Sequence, residues 1–332
     1  MITVGGFNTS MDELIELDTL ALGEVHRAKS VTAYPGGKGL HVATTVAALG
    51  EPVALVGLID RAYRGTFERW LSARGVVFHG IEVDGAIRNC FAIRERSGRI
   101  TEILEPGPNV DPELAEEMLL QVRELAAASK VAVLSGSLPR GLDVQTYARL
   151  VASLRGPTED RDGADLGPWH DTGSGVRCLV DASDDLLRHT LPARPFMVKP
   201  NREEAEKWLG APIENLAAAA RAAERMAEGG TAVVVVSLGD EGALAYSRGE
   251  CLHASVPIPE CRNPVGSGDA LVGGMAVGLA RDLSFDATLR LGVACGAANA
   301  LTAETGLFRR EDVERLFPLV TVRRFTLTGS GD

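Results

Sequence analysis

Residues Asn263-Pro264-Val265-Gly266-Ser267-Gly268-Asp269 run directly into Ala270-Leu271-Val272-Gly273-Gly274-Met275-Ala276, an apolar stretch that reads as a helix despite its glycines. A glycine-rich turn feeding a helix aims backbone N–H groups and the positive end of the helix dipole at one spot, which suits an anion. The stretch therefore predicts a phosphate site. Asp269, at the helix start, reads either as a cap or as a group acting on whatever the turn binds.

A second turn of the same kind lies near the N-terminus. Pro35-Gly36-Gly37-Lys38-Gly39-Leu40-His41-Val42-Ala43 sets glycines ahead of a predicted helix that continues through Leu49, and Lys38 gives this turn its own positive charge. The same pattern also describes an ordinary tight turn with a solvated lysine. Neither turn is a Walker A loop, because G-x-x-x-x-G-K-[ST] occurs nowhere, and no G-x-G-x-x-G follows the first strand. The usual P-loop and nicotinamide-dinucleotide readings lose their main support.

Between the two turns, short β-branched runs alternate with amphipathic stretches. Val53 to Gly57, Lys130 to Ser135, Arg177 to Asp181, Phe196 to Lys199 and Thr231 to Ser237 read as strands, and a helix is predicted near Asp143 to Leu154. That alternation predicts a mostly parallel sheet with helices on both faces. Two places break the rhythm. Glu13 to Leu17 with Glu24 to Ala33, and Arg88 to Glu95 with Arg99 to Leu104, have no helix between them, and Ser97-Gly98 is a hairpin signal. These four strands predict a small separate sheet, suited to a lid or a dimer contact. Gly156 to Gly175, rich in Gly, Asp, Pro and Thr, reads as an exposed inserted loop, with Trp169 and His170 as its surface residues.

Composition narrows the function classes. Of 332 residues, 45% are hydrophobic and 24% charged, as in an ordinary soluble globular chain. The net charge of -11, with no basic cluster, argues against nucleic-acid binding. No apolar run is long enough to span a bilayer, and Met1 to Glu13 has no basic leader, so neither a membrane partner nor a targeting segment is expected. The cysteines (Cys90, Cys178, Cys251, Cys261, Cys295) are scattered and lack C-x-x-C spacing, which fits a reducing cytoplasm.

Taken together and in order, the motifs resemble those of the ribokinase/PfkB carbohydrate kinases. Asn263 to Gly273 looks like that family's C-terminal signature and Pro35 to Ala43 like its N-terminal one. Ser135-Gly136-Ser137-Leu138-Pro139, Val180-Asp181-Ala182-Ser183, Lys199-Pro200-Asn201-Arg202-Glu203-Glu204 and Ser237-Leu238-Gly239-Asp240-Glu241-Gly242 fall between them, so the resemblance covers nearly the whole chain. Asn8 to Asp12, Glu105-Pro106-Gly107-Pro108 and Ser135 to Pro139 most resemble the branch with 1-phosphofructokinase, tagatose-6-phosphate kinase and the minor 6-phosphofructokinase.

The resemblance implies one domain over residues 1–332, an α/β fold of the ribokinase-like three-layer α/β/α type with a small β-sheet lid. It also implies roles. Asp269 would be the base that takes the acceptor hydroxyl's proton, with the N–H groups of Gly266, Ser267 and Gly268 stabilising the transferring phosphoryl group. Asn201 and Glu204 match an N-x-x-E pattern that helps hold Mg²⁺ and nucleotide phosphates through water, a role compatible with capping the following helix. Lys199, Ser237, Gly239 and Gly242 would approach ATP, with Gly296 and Asn299 beside its adenine.

On the sugar side, Asp12 corresponds to a hydroxyl-binding aspartate, Gly36 and Gly37 let the backbone approach the substrate, and Ser137 joins them. Lys38 and Arg88 are candidates to meet a phosphate already on the sugar. Three residues depart from the family pattern: His41 stands where an asparagine usually contacts the sugar, Thr9 replaces a proline, and Asp184 replaces a glycine. The function expected is an ATP- and Mg²⁺-dependent kinase of a phosphorylated ketose, fructose 1-phosphate first, with tagatose 6-phosphate, fructose 6-phosphate or an unphosphorylated sugar as alternatives. A non-catalytic sensor on the same scaffold is the alternative of another class, and a homodimer through the lid sheets is the expected assembly.

Overall fold

A computed structural model of the chain describes residues 1–155 and 175–325. Apart from Gly175, the predicted inserted loop, with Trp169 and His170, lies outside the described residues. In chain order the strands are β1 (Ile2–Gly5), β2 (Ser10–Leu17), β3 (Ser30–Gly36), β4 (Val53–Ile59), β5 (Val76–Glu82), β6 (Arg88–Glu95), β7 (Ile100–Leu104), β8 (Val131–Ser135), β9 (Arg177–Asp181), β10 (Met197–Val198), β11 (Val233–Ser237), β12 (Ala243–Ser247), β13 (Glu250–Ser255) and β14 (Thr321–Phe325). The helices are α1 (Lys38–Ala48), α2 (Arg64–Ser72), α3 (Pro112–Ala127), α4 (Thr146–Leu154), α5 (Asp184–Thr190), α6 (Arg202–Leu209), α7 (Leu216–Ala227), α8 (Ser267–Ala280), α9 (Phe285–Ala300) and α10 (Arg310–Leu316).

Among the described residues, ten strands form one sheet in the order β14-β13-β12-β11-β10-β9-β8-β1-β4-β5. Strands β1, β4 and β8 are buried along their whole length, as expected of a parallel sheet covered on both faces. Helices α1, α8, α9 and α10 pack one against the next as one layer, and α3 to α7 do the same as the other. The result is the ribokinase-like three-layer α/β/α sandwich. Local signals agree with it: Asp111 accepts from Leu114 N at 2.8 Å with Pro112 opening α3, and Asn215 and Ser284 cap α7 and α9 in the same way.

The pairing is parallel from β5 across to β11, and β12, β13 and β14 then continue it antiparallel. This antiparallel edge lies beyond the strands predicted from the sequence, which end at Ser237. Its hairpin turns through Arg248 (φ 46°) and Gly249 (φ 85°), two left-handed residues in a row, so a tight turn is present without the Asn-Gly or Asp-Gly signature.

The smaller sheet has the order β3-β2-β6-β7. Its predicted Ser97-Gly98 hairpin is there, closed by Glu95 N donating to Arg99 O and Gly98 N to Glu95 O, both at 2.9 Å. One boundary needs correcting: the strand expected at Glu24 to Ala33 runs instead over Ser30–Gly36. Gly23, at φ 82°, turns the chain, and His26 Nε2 lies 2.9 Å from Ala21 O, which holds this stretch as a loop until Lys29 N bonds Glu16 O.

The chain crosses from β1 to β4 on one side and returns to β8 on the other, so the strand order reverses at β1. Ligands of open α/β sheets bind in the crevice beyond the carboxyl ends of strands at such a reversal. Asn8, Ser137, Asp181, Lys199 and Ser237 follow or close β1, β8, β9, β10 and β11 at that edge.

Candidate active site

A cavity of about 1110 Å³ lies over this edge, walled on one side by residues of the small sheet. It exceeds the roughly 300–1,000 Å³ usual for one small ligand, so it has room for two. The Gly266 turn, the Gly37-Lys38 turn and the loop at Ser237 to Gly242 all line it.

The Gly266 turn is built from both sides. Asn263, fully buried, accepts from Val265 N at 3.0 Å and donates to Ala303 O at 2.9 Å, which pins the start of the turn. Gly266 adopts φ 82°, a left-handed conformation that lets the chain enter α8. Ser267 N donates to Pro264 O at 3.1 Å, so of the three expected amide donors Ser267 is taken up by the turn itself. The N–H groups of Gly266, Gly268 and Asp269 have no acceptor among the described residues. Asp269 is nearly buried, and no side chain caps α8. The simple cap reading of Asp269 therefore fails, and an anion site at this turn has three free amides.

Asn299 differs from expectation. It does not line the cavity; its Nδ2 donates to Val265 O at 2.8 Å and to Ser267 Oγ at 3.0 Å, bracing the turn from α9. Gly296 does line the cavity, as do Ser237, Gly239 and Gly242. Asn201 lines it too, and Glu204 stands behind: each backbone N–H donates to the other's side chain at 2.8 Å, a capping box that opens α6. Among the described residues no three His, Cys, Asp or Glu side chains gather as a metal cage. One amide and one carboxylate suit an ion that keeps most of its waters.

Sequence reasoning gave no role to Asp181, though it quoted the residue within a motif. Asp181 is fully buried at the end of β9, 3.2 Å from Lys199 Nζ and 4.0 Å from Lys38 Nζ. A buried carboxylate needs such partners. Its charge leads in raising Lys38 above the ordinary lysine range against the cost of burial, with Asp269, Glu204 and Glu102 adding to it. Both lysines line the cavity, Lys199 beside Gly268 and Lys38 on the other turn.

At the other end, Asp12 accepts from Ser10 Oγ at 2.6 Å, and its carboxylate occupies the space that a Cβ on Gly36 would fill. Gly36 thus makes room for Asp12 rather than facing the substrate, whereas Gly37 lines the cavity. Arg88 lines it as well, its Nε donating to Asn8 O at 3.1 Å and its Nη1 to Glu105 O at 3.4 Å. Asn8 in turn donates to Ser137 Oγ at 3.0 Å, so it ties two expected substrate residues together; membership of the Asn8 to Asp12 motif was the only signal for it. His41, buried, joins the two halves: Nδ1 lies 3.0 Å from Asp269 Oδ2 and Nε2 3.4 Å from Asp12 Oδ2. Burial works against a charge on this ring, but the hydrogen bonds and charges of Asp12 and Asp269 outweigh it and raise its pKa from 6.5 to about 9.

A carboxylate, three free amides and two lysines thus face a cavity with room for two ligands. The pfkB family carbohydrate kinase pattern matches residues 6–311, and the chain belongs to that family. It is 35% identical over 280 residues to a 1-phosphofructokinase of Xanthomonas campestris pv. campestris, covering 83% of each chain. It is 30% identical over 325 residues to a tagatose-6-phosphate kinase of Staphylococcus epidermidis, covering 97% of this chain and 99% of that one. Among solved structures, Escherichia coli phosphofructokinase-2 in complex with substrates and products superposes with a TM-score of 0.84 at 25% identity, over 96% of this chain and 98% of that one. The protein is thus a carbohydrate kinase, an enzyme that transfers a phosphoryl group to a sugar hydroxyl, and not a sensor on a kinase scaffold.

Proposed function

We propose that this kinase transfers the γ-phosphoryl group of ATP, with Mg²⁺, to a hydroxyl of a phosphorylated ketose, and that fructose 1-phosphate giving fructose 1,6-bisphosphate is its reaction. The observation that carries this reading is Asp269 at the head of α8 beside the free N–H groups of Gly266 and Gly268. The acceptor hydroxyl gives its proton to Asp269 through the oxygen that His41 leaves open. The sugar oxygen then bonds to the γ-phosphorus as the bond to the bridging oxygen breaks, and ADP leaves with that electron pair. The turn amides and Lys199 offset charge on the group in transfer. Mg²⁺, held through water by Asn201 and Glu204, would neutralise the nucleotide phosphates.

A phosphorylated acceptor is favoured because Lys38 and Arg88 both line the sugar end, where a neutral sugar needs no cation. The relatives named for phosphosugars agree. We read the whole chain as one kinase unit with the small sheet as its lid. In that sheet the register row Val31-Ile15-Ile93 is apolar up to Thr101, with Val31 55% exposed, while the neighbouring row Ala33-Glu13-Phe91-Ile103 carries one charge. Such a face supports pairing of two lids in a homodimer. The five unpaired thiols support a cytoplasmic setting, and among the described residues no helix is long and apolar enough to cross a membrane.

Release of ADP measured over phosphorylated and free ketoses and aldoses tests the assignment. Fructose 1-phosphate is expected to give the highest kcat/KM, with free fructose at least about tenfold lower. A free sugar as the best acceptor would overturn the phosphate reading.

A further inference from the structure

His41 stands between two carboxylates that belong to different halves of the site. Asp269 heads α8 and Asp12 lies on β2. A carboxylate oxygen accepts hydrogen bonds and offers none, so a ring with one nitrogen at 3.0 Å from Asp269 and the other at 3.4 Å from Asp12 needs a proton on each nitrogen to serve both. Asparagine at this position has one donor and one acceptor end and is unable to do the same. The space for the ring is also specific to this chain segment: a Cβ on Gly306 would lie 2.2 Å from His41 Cγ and Cδ2. Nε2 is buried and has no partner at full hydrogen-bond geometry among the described residues, and the Asp12 carboxylate at 3.4 Å is the group that faces it.

We propose that His41 is a charged tie between the two half-sites: an imidazolium that fixes the sugar-anchoring Asp12 relative to the proton-accepting Asp269, and so acts as a positioning residue for the acceptor. This rests on the kinase reading above. Loss of one ring proton leaves two facing carboxylates with a single donor between them, and Asp12 loses its alignment. Tyr34 on β3, Lys38 on α1 and Cys90 on β6 face the same cluster. Burial raises Tyr34 and Cys90 and the Asp181 charge raises Lys38, so each holds its proton past its ordinary range. Glu102 on β7, raised by burial and then by Asp12 and Asp269, sets a further carboxyl opposite, and Arg88 on β6 and Glu304 before Gly306 complete the charged neighbours.

Two measurements on the full-length protein test the proposal. In the ¹⁵N-histidine-labelled chain, assigned with His41→Asn, both His41 ring nitrogens are expected to be protonated at pH 7.5 and to titrate near pH 9. Asp12→Asn or Asp269→Asn is expected to move that titration to lower pH. A neutral His41 ring at pH 7.5 overturns the proposal. In kinetics with fructose 1-phosphate, KM is expected to rise about tenfold between pH 7.5 and 10 while kcat changes by less than about threefold. His41→Asn, with folding checked by melting, is expected to show no such rise; the same alkaline rise in that variant overturns the proposal. The NMR result needs no turnover, so a failure to phosphorylate any sugar refutes the kinase reading without touching the measured state of the ring.

Discussion

Two glycine-rich turns frame the cavity, and they solve the same problem in opposite ways. At Gly266 to Gly268 the backbone carries the site: the N–H groups of Gly266, Gly268 and Asp269 stand free, and the side chains of Asn263 and Asn299 hold the turn in shape ahead of the Asp269 carboxylate. At Gly36 to His41 the side chains carry it. Lys38 is set by Asp181 from β9, and His41 reaches Asp12 and Asp269 across the site. The first turn is held by its own backbone and two asparagines, whereas the second depends on Asp181 and Asp269, partners far away in sequence.

The sharpest way to break the comparison is at the orthodox turn. Asp269→Asn is expected to lower kcat by about 10²- to 10⁴-fold with the melting temperature nearly unchanged, since one base is lost and the shape is kept. Near-normal turnover would remove Asp269 from the chemistry. At the other turn, Lys38→Met and Arg88→Met are each expected to raise KM for fructose 1-phosphate by about tenfold or more and leave KM for ATP within about twofold. Equal effects on both substrates would move these cations to the nucleotide.

Stability is expected to follow His41. Its pKa is raised from 6.5 to about 9 on folding, so the folded chain binds the proton more tightly. The stability this adds is complete below about pH 6.5, falls as pH climbs and is lost above about 9, an effect on the order of 3 kcal/mol. Urea titrations at pH 6.5 and 9.5 are expected to show that loss in the parent and little of it in His41→Asn. Smaller again, Gly306→Ala places a methyl against the His41 ring at a left-handed residue (φ 69°) and is expected to destabilise by about 1–3 kcal/mol, partly recovered when His41→Ala removes the ring atoms it meets. On the small sheet, light scattering tests the proposed homodimer: the parent is expected to be a dimer and Ile93→Asp a monomer with its fold intact, and a monomeric parent rules that assembly out.

What was legible in the sequence follows the same division. Core strands such as β4 and β8 were readable because they are runs of apolar residues buried along their length, and the Gly266 turn because its residues are adjacent in sequence. The β12 to β14 edge was missed because its Arg248-Gly249 turn lacks the usual asparagine or aspartate, and β3 was misplaced because a loop fixed by His26 precedes it. Asn299 and Gly36 lie near their expected places with different duties, one bracing the turn and the other making room for Asp12. Those duties depend on contacts across dozens to hundreds of residues, as does the Asp12-His41-Asp269 chain, and no local spacing records them.

The central claim, phosphoryl transfer to a phosphorylated ketose, is tested most directly by ³¹P NMR of the parent enzyme with ATP, Mg²⁺ and fructose 1-phosphate. The account predicts one new sugar phosphate ester for each ADP formed, with the original ester retained on the same molecule. ADP accompanied by inorganic phosphate and an unchanged sugar, or no ADP at all, would contradict it.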